Sequence, residues 1–98
     1  MHNYYVYITT NKNKTVLYTG VTGNIAARLW FHEEGARLNQ NNFTARYNCY
    51  HLIYWEHFRN VKSAIARETE IKGLKRWKKE ALINAFNPEW RFLNEELM

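Results

Sequence analysis

The residues best suited to chemistry lie near the N-terminus, where Arg28 and His32 follow two glycines. Gly20 and Gly23 permit the unusual backbone angles or the close approach that a tight turn between a strand and a helix requires. Arg28 and His32 stand one helical turn apart, so their side chains emerge on the same face. A cation and a titratable imidazole above a glycine turn indicate a place for a phosphate. Because two glutamates follow directly, an ordinary solvated helix face is the alternative.

Glu68 is the carboxylate most at odds with its predicted surroundings. It shares a helical stripe with the apolar residues Val61, Ala64, Ile65 and Ile71, where a residue that faces the core is expected. A buried carboxylate is costly unless it is paired or binds a metal. Two interpretations stay open: a salt bridge with Arg28, Lys72 or another cation, or a metal ligand that faces Arg28.

The tyrosines and histidines are less informative by themselves. Tyr5, Tyr7 and Tyr18 are typical core or edge aromatics of a short sheet, and a hydroxyl becomes reactive only in a cleft beside a cation. The four histidines lack zinc-type spacing, and Cys49, the single cysteine, rules out thiolate pairs and an internal disulfide.

A run of cations occupies the second half of the chain. Five of them fall within eight residues around Trp77: Lys72, Lys75, Arg76, Lys78 and Lys79. With a net charge of +5, this run favours a polyanionic partner, because basic residues contact backbone phosphates and an exposed aromatic side chain stacks on bases. The alternative is a solvated helix end with Trp77 packed inward.

Residue types and periodicity predict the elements that hold these side chains. Aromatic and β-branched runs predict strands over 4–10, 15–19 and 49–58. Helical spacing and caps predict a first helix over 24–34, with Thr22 or Asn24 as its cap. They also predict helices from the cap Asn60 through Lys75 and over 78–86 before Asn87-Pro88. Residues 35–42 are predicted to be a polar loop, 43–47 to run back toward the sheet, and the tail to fold back through Trp90, Phe92 and Leu93.

Length and composition set the class of protein. The 98 residues predict one domain, 1–98, and a hydrophobic content of 46% excludes disorder. No apolar run approaches the length that spans a membrane, so no membrane partner is expected. The N-terminus lacks the regions of a signal peptide, so a cytoplasmic location is expected.

In combination, these residues resemble the GIY-YIG nuclease superfamily. Tyr5-Val6-Tyr7 stands where the first signature tripeptide falls, and Tyr18-Thr19-Gly20 where the second falls. Arg28 and His32 match the arginine and histidine of the following helix, and the segment 64–68 matches the one that ends in the metal-binding glutamate. The resemblance covers nearly the whole chain and is strongest to small, single-domain bacterial relatives of the N-terminal nuclease domain of the excinuclease.

The resemblance implies an α+β fold, a small three-stranded mixed and mainly antiparallel sheet flanked by helices. It also implies Mg²⁺- or Mn²⁺-dependent endonuclease cleavage of DNA, with DNA repair or the processing of branched or nicked DNA as the expected role. By matching position, Glu68 holds the metal and Arg28 stabilises the pentavalent phosphate. Tyr7 or Tyr18 activates or orients the attacking water, with help from His32.

Two departures from the family pattern lead to a second hypothesis. Tyr5 and Val6 replace the first glycine and isoleucine, and Val21 follows Gly20 where excinuclease-type domains tend to have lysine. The loss of that cation is compatible with a nucleic-acid-binding module that retains the scaffold and little or no catalysis. A metal-independent protein adaptor, suggested by the many aromatic residues, is a more distant third.

Overall fold

A computed structural model describes residues 2–38 and 41–98. The strands over these residues are β1 (Tyr4–Thr10), β2 (Leu17–Thr22) and β3 (His51–Phe58). The helices are α1 (Ile25–Arg37), α2 (Phe43–Arg46), α3 (Val61–Lys72), α4 (Arg76–Phe86) and α5 (Asn94–Leu97). Asn39 and Gln40 of the predicted loop lie outside the described residues.

The sheet has the order β2-β1-β3, and both neighbouring pairs are antiparallel. This confirms the predicted α+β class with a three-stranded sheet flanked by helices. Tyr7 lies in the central strand between Gly20 of β2 and Trp55 of β3. The two signature tripeptides are therefore side by side.

Strand β2 begins and ends later than the sequence predicted. The side chain of Asn11 accepts hydrogen bonds from the backbone N–H groups of Thr15 and Val16, which holds these two residues in the hairpin turn. The strand instead continues through Gly20 to Thr22. No glycine among the described residues has a positive φ, so Gly20 serves close approach and not an unusual backbone angle.

Alternation along β1 gives the sheet two covered faces. One hydrophobic cluster contains Val6 and Ile8 with Ala64 and Ile71 of α3 and Ile83 of α4. The other contains Tyr7 and Leu52 with Ile25 and Leu29 of α1 and with Leu93. The helix that carries Arg28 and His32 and the helix that carries Glu68 thus pack on different faces of one small sheet.

One prediction about packing was wrong, and one of the two alternatives for Trp77 is excluded. Val61 and Ile65, placed on the apolar stripe of α3, are 42% and 49% exposed, and the core contacts come from Ala64 and Ile71. Trp77 is 63% exposed and does not pack inward. Among residues 2–38 and 41–98, every helix is too short or too polar to cross a bilayer.

Candidate active site

The predicted phosphate site coincides with a cavity of about 500 Å³ between β2, α1 and α2. Three of the predicted site residues line it: Tyr18, Arg28 and His32. Phe31, Phe43 and Thr44 are among the other lining residues. A strand, a long helix and a helix of one turn therefore converge where the sequence indicated a phosphate.

Local sequence explains why α1 presents its residues here. The side chain of Asn24 accepts a hydrogen bond from the N–H of Ala27 and starts the helix, as predicted. Ile25 and Leu29 are buried against the sheet and fix the rotation of the helix. This rotation leaves Arg28 exposed and turns His32 inward, where it is only 8% exposed.

Tyr7 and His32 are directly hydrogen bonded. The distance between the Tyr7 hydroxyl and Nε2 of His32 is 2.9 Å, and the other ring nitrogen lies 3.0 Å from the hydroxyl of Thr44. The ring of Tyr18 packs edge-on against His32, with their centroids 5.8 Å apart. The two tyrosines and the histidine thus form one cluster, with Tyr18 on the cavity wall and Tyr7 fully buried.

Gly20 makes room for this cluster. A Cβ atom built on Gly20 would lie 2.6 Å from Cζ of Tyr7 and closer still to its hydroxyl. Real Cβ atoms do not approach other atoms so closely. The glycine that follows Tyr18-Thr19 is therefore required by the tyrosine of the first tripeptide.

The site keeps Tyr7 and His32 uncharged. Burial raises the pKa of Tyr7 well above its usual value, the neighbouring Tyr18 raises it further, Arg28 lowers it and Glu68 raises it. Burial, with help from Arg28, lowers the pKa of His32 to about 4. Arg28 and Glu68 thus have opposite effects on the pKa of the Tyr7 hydroxyl, although Glu68 is not among the residues that line the cavity.

Arg28 and Glu68 differ in their partners. Arg28 has no ion pair or side-chain hydrogen bond among the described residues. Glu68 forms an ion pair with Lys72, with Oε2 and Nζ 2.9 Å apart, which is one of the two interpretations the sequence left open. The Glu68 side chain is still 15% exposed, so it is not sealed in the core.

The ligand atoms available at Glu68 limit which metal ions could bind there. Its carboxylate supplies the hard oxygen ligands that Mg²⁺ and Mn²⁺ accept. Among the described residues no group of three or more His, Cys, Asp or Glu side chains could hold a metal ion. A metal ion held by Glu68 would therefore have to complete most of its shell with water and phosphate oxygens.

The basic run is partly engaged within the protein. Lys72 pairs with Glu68, and Arg76 pairs with Glu80 and donates to the carbonyl of Thr15. The other three cations of the basic run have no ion pair in the described part of the chain: Lys75, Lys78 and Lys79. Lys78 lies 5.5 Å from the ring centroid of the exposed Trp77.

Sequence reasoning missed the contribution of α2. Residues 43–47 were predicted to run back toward the sheet, and 43–46 form a short helix instead. Asn42 caps it by accepting from the N–H of Ala45, and Thr44 reaches His32. An asparagine at the N-cap position is the same kind of signal that Asn24 gives for α1, but the strand-like propensity of the aromatic residues that follow Asn42 favoured a different interpretation.

Comparison with known proteins gives a family match and several similar sequences. The pattern that defines the GIY-YIG catalytic domain matches residues 3–81. A UPF0213 protein of Natronomonas pharaonis is 37% identical over 83 residues, which cover 83% of this chain and 91% of the relative. One from Clostridium perfringens is also 37% identical, over 81 residues, with 83% of each chain covered.

A solved structure shares the fold. The solution NMR structure of a UPF0213 protein from Bacillus halodurans is 28% identical, has a TM-score of 0.56, and covers 90% of this chain and 89% of its own.

Proposed function

Because this chain belongs to the GIY-YIG catalytic-domain family, we propose that it is a divalent-metal-dependent endonuclease that hydrolyses DNA phosphodiester bonds. One observation carries the proposal: Tyr18, Arg28 and His32 line a single open cavity, with Tyr7 hydrogen bonded to His32 behind them. Branched or nicked DNA, and a role in DNA repair, are the first substrates and pathway to examine. The cytoplasm remains the expected location.

Arg28 is suited to the phosphate. Its guanidinium lacks an ion pair within the described residues, so an incoming phosphate does not have to displace a carboxylate. A guanidinium offers two parallel N–H donors to phosphate oxygens, which a lysine cannot do. In the transition state, extra negative charge on these oxygens strengthens the interaction, and this is the condition for catalysis.

Glu68 is the residue that would hold the metal. A bound Mg²⁺ or Mn²⁺ supplies Lewis-acid polarisation of the phosphoryl oxygen. Lys72 contacts Oε2 of Glu68, so a metal ion either binds the other carboxylate oxygen or displaces the lysine, which is then free to approach DNA.

The tyrosines and His32 are the groups that can orient or deprotonate the attacking water. Tyr18 reaches the cavity wall, whereas Tyr7 lies behind it and is joined to His32. His32 is neutral at pH 7, since its pKa is lowered to about 4, and a neutral imidazole can accept a hydrogen bond.

Cleavage of labelled DNA tests the proposal. Branched, nicked, duplex and single-stranded DNA are incubated with Mg²⁺ or Mn²⁺ and with wild type, Glu68→Ala or Arg28→Ala. Loss of either group should lower the rate about a hundredfold or more. Glu70→Ala is the matched control, because Glu70 is an exposed carboxylate on the same helix that pairs with Arg67. Identical products from wild type and Glu68→Ala would contradict the enzymatic proposal.

The ion pair between Glu68 and Lys72 favours one second candidate, a nucleic-acid-binding module with little or no catalysis. In such a module Glu68 would serve only to hold Lys72, and cleavage would be absent with any metal. DNA binding would then survive Glu68→Ala and weaken steeply with salt.

A further inference from the structure

The hydrogen bonds around His32 continue beyond the predicted site into α2. The hydroxyl of Thr44 lies 3.0 Å from Nδ1 of His32 and 3.0 Å from Oδ1 of Asn42. Thr44 is only 6% exposed. Neither Thr44 nor Asn42 belongs to the set of residues predicted from the sequence.

The direction of each hydrogen bond in this series can be deduced by starting from Asn42. Oδ1 of Asn42 accepts from the backbone N–H of Ala45, which can only donate. This fixes which side of the Asn42 amide faces Thr44, because the reversed amide would set two donors against each other. An amide oxygen cannot donate, so the single proton of the Thr44 hydroxyl must point to Asn42.

The remaining hydrogen bonds follow in order. With its proton committed to Asn42, the Thr44 oxygen can only accept from His32, so Nδ1 of His32 carries the ring proton. Nε2 of the neutral ring is then an acceptor, and the Tyr7 hydroxyl donates to it. The opposite tautomer would place the Thr44 and Asn42 oxygens 3.0 Å apart with no proton between them.

We infer that Thr44 and Asn42 are positioning residues that hold His32 in its Nδ1-protonated tautomer and direct the proton of Tyr7 toward Nε2. The Tyr7 oxygen can then only accept further hydrogen bonds. Any further partner of this oxygen must be a donor, which a water molecule or Arg28 can be and a phosphate oxygen cannot. The inference about the tautomer does not depend on any activity of the protein. The role of this tautomer in orienting the attacking water rests on the proposed nuclease function.

The tautomer can be observed without substrate. Two-bond ¹H–¹⁵N correlation spectra of ¹⁵N-labelled protein separate protonated from unprotonated ring nitrogens, and His32→Gln identifies the His32 signals among those of the four histidines. Wild type should show a protonated Nδ1 and an unprotonated Nε2. A protonated Nε2 in wild type would overturn the inference.

Two substitutions of Thr44 test its role. Thr44→Val keeps the shape and removes the acceptor, so His32 should shift toward the other tautomer or a mixture. Thr44→Ser keeps the hydroxyl and should restore the wild-type spectrum. An unchanged spectrum in Thr44→Val would show that Thr44 does not set the tautomer. If Thr44→Val does not fold, Asn42→Asp, which retains the accepting oxygen, must still give the wild-type tautomer.

Cleavage kinetics add the functional readout. Thr44→Val should lower kcat between about tenfold and about a hundredfold with little change in KM, and Thr44→Ser should restore it. A shifted tautomer with unchanged kcat would overturn the role in catalysis. Absence of cleavage by wild type itself would instead count against the proposed function, and the spectra would still decide the tautomer.

Discussion

Gly20 connects the chemistry of Tyr7 with the packing of the sheet at the level of a single residue. Strand β2 brings it directly opposite Tyr7, and the tyrosine hydroxyl occupies the space that a side chain on Gly20 would need. The two signature tripeptides are thus sterically dependent on each other, which neither tripeptide reveals by itself.

The substitution Gly20→Ala should therefore destabilise the protein by about 1–3 kcal/mol, the usual cost of overpacking a buried site. The added Cβ must displace the Tyr7 ring, which is fully buried and hydrogen bonded to His32. Unfolding by urea, followed by tryptophan fluorescence, measures the change.

Gly23→Ala is the matched control. Its added Cβ would meet only ordinary contacts, the nearest being Cε1 of Tyr4 at 3.7 Å, and Gly23 is exposed. Its effect should stay within about 0.5 kcal/mol. Equal losses for the two variants would mean that the contact with Tyr7 is not the cause.

His32 should make the stability of the protein depend on pH. Its folded-state pKa is lowered from 6.5 to about 4, chiefly by burial, so the unfolded chain takes up a proton at a higher pH than the folded one. The resulting stabilisation, about 3 kcal/mol, is complete above the unfolded pKa and is lost as the pH falls from 6.5 toward 4. Urea unfolding at intervals between pH 7.5 and 4.5 measures this loss.

His32→Gln supplies the comparison, because it removes this titration and leaves the other acidic and basic groups in place. The variant should lose less stability than wild type over the same pH range, whatever its stability at pH 7.5. Parallel curves for the two proteins would show that His32 titrates normally in the folded state.

At the scale of elements, the C-terminal segment secures the outer edge of β3. Asn87 donates to the carbonyl groups of Ile53 and Arg91 and accepts from the N–H of Arg91. Asn94 bonds to the backbone of Leu52 and Tyr50. These side chains replace a neighbouring strand, and they protect part of an edge that would otherwise be open to pairing.

Asn87→Ala should accordingly cost about 2–3 kcal/mol, since it leaves buried backbone groups of β3 and of the tail without partners. Asn87 is only 4% exposed. Hydrogen exchange should also speed up in β3 near Ile53. Asn84→Ala is the control, because Asn84 is exposed in the last turn of α4 and, within residues 2–38 and 41–98, its side chain bonds to Trp90 alone. Its cost should stay below about 1 kcal/mol.

Elements with strong local signals were predictable from the sequence. Strand β1 lies where its aromatic and β-branched residues indicated, and Asn24 and Asn60 cap α1 and α3 as expected. Helix α2 was not predictable with the same rules, since Phe43, Thr44 and Tyr47 have strand-like propensities over only four helical residues. Its conformation depends on the cap at Asn42 and also on the contact between Thr44 and His32, which lies outside the local sequence.

At the scale of the whole molecule, residues from distant parts of the chain contribute to the candidate site. Tyr7, Tyr18, Arg28, His32 and Glu68 come from four elements, and the family resemblance predicts that they meet at one site. In the structure the two tyrosines and His32 form one cluster, and Arg28 lines the same cavity as Tyr18 and His32. The pair Glu68–Lys72 was one local possibility at the spacing i, i+4. Periodicity could not reveal the Thr44 contact, because it joins residues whose proximity depends on how α2 folds.

The distribution of charge leads to a prediction about DNA binding as a whole. The net charge is +5, and Lys75 and Lys78 lie at the start of α4 without ion pairs in the described part of the chain. If they contact phosphates, Lys75→Gln with Lys78→Gln should weaken binding to any DNA sequence and reduce the salt slope of log K by about 1.5 to 2. Fluorescence anisotropy with labelled DNA at about 50–200 mM salt in EDTA measures binding apart from cleavage.

A double substitution near the start of α3 distinguishes contacts made by the basic run from an effect of total charge. Arg59→Gln with Lys62→Gln also lowers the net charge from +5 to +3. Lys62 lies ten residues before Lys72, so about 15 Å of helix separates these positions from the basic run. A smaller change in salt slope for this pair would locate the DNA on the side of α4, where Lys72, once released from Glu68, adds a further cation. Equal changes would mean that binding follows net charge alone, and the basic run would then have no special part in it.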